Sequence, residues 1–285
     1  MTLRLSKDED DFDLQLDSGR VRCRRFGSAD APLILCAHGL SAHMCAFDRI
    51  FGRIGNHNRQ WVMLDLRGRG HSEITPDGSY GLDAHARDLL EVATLLGSER
   101  FDLIGWSMGA LIGIRIANLA PARLRRLVMI DHAGRMDPGI CSTIIRGLER
   151  LDMVVNGPAA YVDAMRSASG ITPWTAFWEP YYRYELAAYG QGFKPRTSKS
   201  ACLEDLAAVV NADWRSFWTG ISMPALLVRC LLPLAGGFIV PESERDALRR
   251  AVPRIRIVES ASNHYTVMNC DDSSSAIKEF LDLPL

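Results

Sequence analysis

At 285 residues, 47% of them hydrophobic, the chain is long enough to bury the core of one large α/β domain, with or without an inserted cap, and it holds no run of about 18 apolar residues that would read as a membrane span. Its 33 Lys and Arg residues against 34 Asp and Glu leave a net charge of −1 and no basic stripe, which excludes a nucleic-acid partner and leaves a small molecule as the expected one. Seven cysteines without a Cys-x-x-Cys pair, and a charged start (MTLRLSKDEDDFD) without a signal peptide's apolar core, predict reduced thiols, no zinc site and a soluble, cytoplasmic protein.

In chain order, PLILCAH at 32–38 reads as a strand that is apolar on both faces, with His38-Gly39-Leu40 as the bend that closes it. WVMLDL at 61–66 is the next strand. It leads into DLRGRGHS at 65–72, where Arg67, Gly68 and Gly70 shape a turn; His38 and His71 are both read as structural. DAHARDLLEVATLL at 83–96 sets Leu89, Leu90, Val92, Ala93 and Leu96 mostly on one helical face, and Gly97 stops the helix.

FDLIGW at 101–106 is a third strand, and it runs through Gly105-Trp106-Ser107-Met108-Gly109 straight into the helical ALIGIRIANLA. A serine at such a bend is pushed out above the sheet, while the glycines two places before and after let neighbouring backbone approach without a Cβ clash. The following helix brings the positive end of its dipole close by. The pattern predicts a nucleophilic Ser107. RLVMID at 126–131 is a fourth strand and ends in Asp131.

The alternation breaks over residues 136–205, where helical segments follow one another without strands and PWTAFWEPYYRYELAAYG gathers Trp174, Phe177, Trp178, Tyr181, Tyr182 and Tyr184. This reads as a helical cap inserted into a core made of residues 1–135 and 206–285, with most of the rings forming the cap's own interior. ALLVRC at 225–230 and RIRIVES at 254–260 complete a parallel sheet wrapped by helices.

A serine hydroxyl attacks only when a base takes its proton. Of the seven histidines, His264 in ASNHYTVM alone follows the last strand. The base in turn needs a carboxylate that fixes its tautomer. In many proteins of this architecture the acid follows the penultimate strand, but CLLPLAGGFIVP at 230–241 has none, and no Asp or Glu occurs between Asp213 and Glu242. Asp131, at the carboxyl end of the strand after the serine helix, keeps the chain order serine, acid, histidine; Glu242 and Glu244 are the alternatives. Oxyanion donors are expected from the backbone N–H groups of Met108 and Leu40.

HG at 38–39, DLRGRGHS at 65–72, GWSMG at 105–109 and NH at 263–264 follow the pattern of the α/β-hydrolase superfamily, which the chain resembles over nearly its whole length. The resemblance implies the α/β-hydrolase fold, a mostly parallel central sheet flanked by helices with an inserted helical cap, and hydrolysis without metal or organic cofactor. Within the superfamily, the displaced acid and the tail from 225 to 268 are similar to the amidohydrolases of heterocycle breakdown typified by N-formylmaleamate deformylase and (acetamidomethylene)succinate hydrolase, which open small, carboxylate-bearing amides or enamides. The loop at 230–241 is longer and more apolar than that group's. The likeness implies Asp131 as the acid and an amide or ester of a small, carboxylate-bearing metabolite as substrate. Such a carboxylate would want an arginine, with Arg135, Arg146 and Arg183 as candidates, and Trp106 and Trp178 are candidate substrate contacts. Carboxylesterase, lactonase and carbon–carbon bond hydrolase chemistry share the same three residues and stay open. So do a hydrolase-fold ligand receptor and a haloperoxidase side activity.

Overall fold

The structure, a computed structural model, describes residues 10–56 and 58–284; the first nine residues, and with them most of the segment read above as too charged for a signal peptide, lie outside the described residues. The strands among them are β1 (Asp10–Leu16), β2 (Gly19–Phe26), β3 (Leu33–Ala37), β4 (Gln60–Leu64), β5 (Phe101–Trp106), β6 (Leu124–Ile130), β7 (Leu186–Tyr189), β8 (Gly192–Pro195), β9 (Ala225–Cys230) and β10 (Arg256–Ser260). The α-helices are α1 (Asp48–Ile54), α2 (Leu82–Leu95), α3 (Met108–Leu119), α4 (Ile140–Leu148), α5 (Pro158–Ala168), α6 (Trp178–Tyr184), α7 (Lys199–Asn211), α8 (Trp214–Phe217), α9 (Glu242–Ala251) and α10 (Asp271–Asp282).

Eight strands form one sheet in the order β1-β2-β4-β3-β5-β6-β9-β10. From β4 to β10 all neighbours are parallel, and these six are the strands read from the sequence. Their unbroken apolar runs follow from burial on both faces. Leu33, Leu35 and Ala37 of β3 enter the core beneath α2 and α3, while Ile34 and Cys36 enter the opposite core, which holds residues of α1 and α10. Each large side chain so buried stabilises the fold by about 1.5–3 kcal/mol. Strand order reverses at β3, with β4 on one side and β5 on the other, so a crevice opens at the carboxyl ends of these strands.

The antiparallel β1–β2 hairpin was not among the strands read from the sequence. Val21 and Cys23 of β2 point into the core while Arg20, Arg22 and Arg24 point outward, where Arg20 and Arg22 pair with Asp13 and Arg24 with Asp11. A second difference lies between β6 and β9. This stretch is mostly helical, but it also holds the β7–β8 hairpin, which turns at Gly190 with φ 56°. The aromatic run supplies Trp178, Tyr181 and Tyr182 to the core beneath α1 and α10, together with Tyr161 and Met165 of α5. No helix among the described residues is long and apolar enough to cross a membrane.

Candidate active site

β5 ends at Trp106 and α3 begins at Met108, leaving Ser107 alone at the bend with φ 56° and ψ −121°. A non-glycine residue rarely adopts this backbone, and the surroundings hold it there: the Ser107 N–H donates to Ile130 O at 2.9 Å and its carbonyl accepts from Ala110 N–H at 2.9 Å. A Cβ on Gly109 would collide with the Ala37 carbonyl, and one on Gly105 with the Gly109 carbonyl. The two flanking glycines therefore let β3, β5 and α3 close around the serine.

His264 lies in the loop between β10 and α10. Its Nε2 is 3.0 Å from Ser107 Oγ, and its Nδ1 is 2.9 Å from Asp131 Oδ2. An ionised carboxylate only accepts, so Nδ1 carries the proton and the lone pair of Nε2 faces the serine hydroxyl. Asp131 follows β6 directly, with φ 47°, a left-handed conformation that Asp tolerates. Its Oδ1 accepts from the Cys230 N–H at 2.9 Å, so the carboxylate spans from the end of β6 to the end of β9. Burial pushes the Asp131 carboxyl upward, but the hydrogen bond and charge of His264 and the Cys230 N–H outweigh it and hold the group below the usual carboxylate range. Glu244 is buried elsewhere, accepting from Arg135 N–H and pairing with Arg215, and Glu242 is exposed.

Trp106 is placed differently from a substrate contact. Its Nε1–H donates to the His264 carbonyl at 3.1 Å and its ring lies 5.5 Å from the imidazole, so it steadies the histidine loop. Trp178 is buried among Phe177, Tyr181 and Tyr182. Arg135 and Arg146 are exposed, and the exposed Arg183 pairs with Glu179 one turn earlier on α6. None of the three arginines contacts Ser107, Asp131 or His264, because each lies on an outward face of its segment.

Arg150 went unnoticed in the sequence. Its Nη2 donates to Ser41 O at 2.7 Å, beside Leu40, and lies 3.3 Å from the fully buried Glu185, which accepts from the Tyr161 hydroxyl at 2.6 Å. The Nη1 of Arg150 is buried and has no hydrogen-bond partner among the described residues. The only sequence signal was its place between Leu148 and Leu151, both buried.

The bend after β3 brings Gly39 against the serine; a Cβ there would stand 3.1 Å from Ser107 Cβ. His38 is fully buried, accepts from Leu66 N–H through Nε2 at 2.9 Å and donates through Nδ1 to Gly39 O at 2.7 Å. Burial lowers its pKa to about 3, so it stays neutral, as a structural histidine should. In a trans peptide the N–H lies opposite the C=O, so fixing Gly39 O also fixes the direction of Leu40 N–H. Among the described residues, neither Leu40 N–H nor Met108 N–H donates a hydrogen bond within the protein. Asp65 organises the DLRGRGHS turn, accepting from Met44 N–H, His71 N–H and the Tyr184 hydroxyl, each at 2.8 Å. A surface cavity of about 580 Å³ lies at the start of α2, and neither Ser107, Asp131, His264, Leu40 nor Met108 lines it.

A family model described as the alpha/beta hydrolase fold matches residues 32–269. N-formylmaleamate deformylase of Pseudomonas putida is 28% identical over 267 residues, which cover 92% of each chain. The 3-hydroxybutyrate-oligomer hydrolase of Cupriavidus necator is 29% identical over 224 residues, covering 74% of this chain and 76% of its own. Among solved structures, E-2-(acetamidomethylene)succinate hydrolase superposes with a TM-score of 0.87 at 19% identity, over 96% of this chain and 100% of the other.

Proposed function

We propose that this chain, which belongs to the α/β-hydrolase family, is a serine hydrolase that cleaves an amide or ester bond of a small, carboxylate-bearing metabolite through an acyl-enzyme on Ser107. The observation that carries the reading is the continuous relay from Ser107 Oγ to His264 to Asp131, at 3.0 and 2.9 Å. Ser107 Oγ attacks the carbonyl carbon as its proton passes to His264 Nε2, and Asp131 stabilises the imidazolium that forms. The N–H groups of Leu40 and Met108 receive the oxyanion, and each such donor is worth about 3 kcal/mol in the transition state. His264 then gives the proton to the leaving group. A water, deprotonated in turn by His264, attacks the acyl carbon; the Oγ–acyl bond breaks, and His264 returns the proton to Ser107 Oγ as the acid leaves. Residues 136–205 act as a cap over a core formed by residues 1–135 and 206–285.

The carboxylate in the substrate is supported by what two of the similar proteins are named for, acting on a maleamate and a succinate.

The test is hydrolysis of a panel of short acyl esters, lactones and N-acyl enamine dicarboxylates, with the Ser107→Ala protein as control. Preferred turnover of a carboxylate-bearing amide, lost in Ser107→Ala, is the expected result. Turnover confined to neutral esters or lactones would remove the carboxylate from the reading and leave the serine mechanism, whereas a Ser107→Ala protein as active as the parent would overturn the mechanism itself.

A further inference from the structure

We propose that Arg69 and Cys202 act as positioning residues for the oxyanion donor, by jointly holding the Leu40 carbonyl. The proposal rests on the reading of Leu40 N–H as that donor. Two peptide planes meet at Leu40. The first, Gly39–Leu40, carries the donor N–H, and its carbonyl is held by His38. Flipping that plane requires the torsions at Gly39 and Leu40 to turn together, and glycine offers little resistance. His38 Nδ1 and Ala42 N–H resist the turn at the Gly39 carbonyl, and further resistance comes from Leu40, whose own carbonyl accepts from Arg69 Nε at 3.0 Å and from Cys202 Sγ at 3.3 Å.

Neither holding group can move away easily. Arg69 is fully buried; its Nη1 donates to Arg67 O at 3.0 Å and its Nη2 binds Asp205. Asp205 also accepts from Gly81 N–H at 2.6 Å and lies 2.9 Å from His85 Nε2. Cys202 is fully buried among Leu148 and Leu151, against Leu40. Burial pushes its thiol upward, so the S–H stays in place as a donor. Cys202 and Asp205 sit one turn apart on the same face of α7. That single face therefore grips the Leu40 carbonyl twice, once directly and once through Arg69, without approaching the substrate. α7 follows the β7–β8 hairpin, so the strength of the oxyanion site is set in part by the segment inserted after β6.

The experiment uses p-nitrophenyl acetate as substrate and a trifluoromethyl ketone as a probe that forms a tetrahedral adduct on serine. Cys202→Ala should lower kcat by about tenfold, leave KM within about twofold and weaken the ketone by the same factor as kcat, because only the transition state uses the donor. Cys202→Ser keeps a donor and should restore kcat to within about twofold of the parent. Asp205→Asn, which loosens Arg69, should shift kcat in the same direction with melting temperature measured alongside. Parent-like kcat in Cys202→Ala, equal losses in the Ala and Ser variants, or a change confined to KM would each overturn the proposal. A Ser107→Ala protein as fast as the parent would instead bring down the serine reading beneath it, a result readable without any Cys202 variant.

Discussion

Replacing Asp131 by Asn tests the acid most sharply, because the substitution preserves shape and removes only the charge and one acceptor. Asn tolerates the left-handed backbone at this position, and the backbone N–H bond to Val228 O at 2.8 Å is untouched. With its oxygen kept toward Cys230 N–H, the amide turns its NH2 group on His264 Nδ1, forcing the proton onto Nε2, where it can no longer accept from Ser107. The productive tautomer returns only if the amide flips, which sets two N–H groups against each other at Cys230 and costs about 1–3 kcal/mol. The lost charge under the imidazolium removes a further ~1.5–3 kcal/mol. The sum is about 2.5–6 kcal/mol, or about 10²–10⁴-fold in kcat at 1.36 kcal/mol per decade. Steady-state hydrolysis of p-nitrophenyl acetate, with melting temperature as a check on folding, measures it. Glu242→Gln, at an exposed position, serves as the control and should match the parent. A folded Asp131→Asn protein within about tenfold of parental kcat would refute the assignment of the acid.

Trp106→Phe keeps an aromatic ring and deletes the N–H that holds the His264 carbonyl, so kcat should fall by about fivefold, in line with a lost hydrogen bond of about 1 kcal/mol, while the fold survives; an unchanged rate would show that the indole has no part in holding the histidine. For Asp205, burial raises the pKa, but the charges of His85 and Arg69 outweigh it and hold the carboxyl at about 2, against 3.8 ordinarily. A depressed pKa stabilises the folded state above the unfolded value and loses that contribution as pH falls toward the folded one, so the urea-measured advantage of the parent over Asp205→Asn should shrink by about 2 kcal/mol between about pH 5 and about pH 2. An advantage that does not vary with pH would contradict the ion-pair account.

The six parallel strands were legible because burial on both faces writes itself as uninterrupted apolar sequence. β1 and β2 were not, since one face is covered by Asp–Arg pairs and the strands read as charged. The β7–β8 hairpin fell inside residues 136–205, a stretch read as helical segments without strands. At the site, the bend at Ser107 was written in its two glycines, and the empty loop after β9 pointed back to Asp131. What that loop contributes instead is the backbone N–H of Cys230, which no side-chain pattern records. Arginine positions show the same limit. Arg135, Arg146, Arg150 and Arg183 all sit in mixed helical or turn sequence, and only packing separates the one with a buried, unpartnered N–H from three that face outward.

In the proposed relay the carboxylate comes from Asp131 directly after β6, which would relieve the chain from Leu231 to Pro241 of any side-chain duty in proton transfer. It is tied by Leu231 N–H to Ser260 O, Leu232 N–H to Ser262 O, Phe238 N–H to Asp137 Oδ2 and Arg229 Nε to Val240 O, with Ile239 and Val240 buried in the core and Leu231 and Leu232 exposed. For protein engineering, its outer part, residues 231–236, is a graftable wall whose side chains can be exchanged to reshape access and selectivity, provided that Ile239 and Val240 stay in the core and the N–H at Cys230 stays where Asp131 needs it.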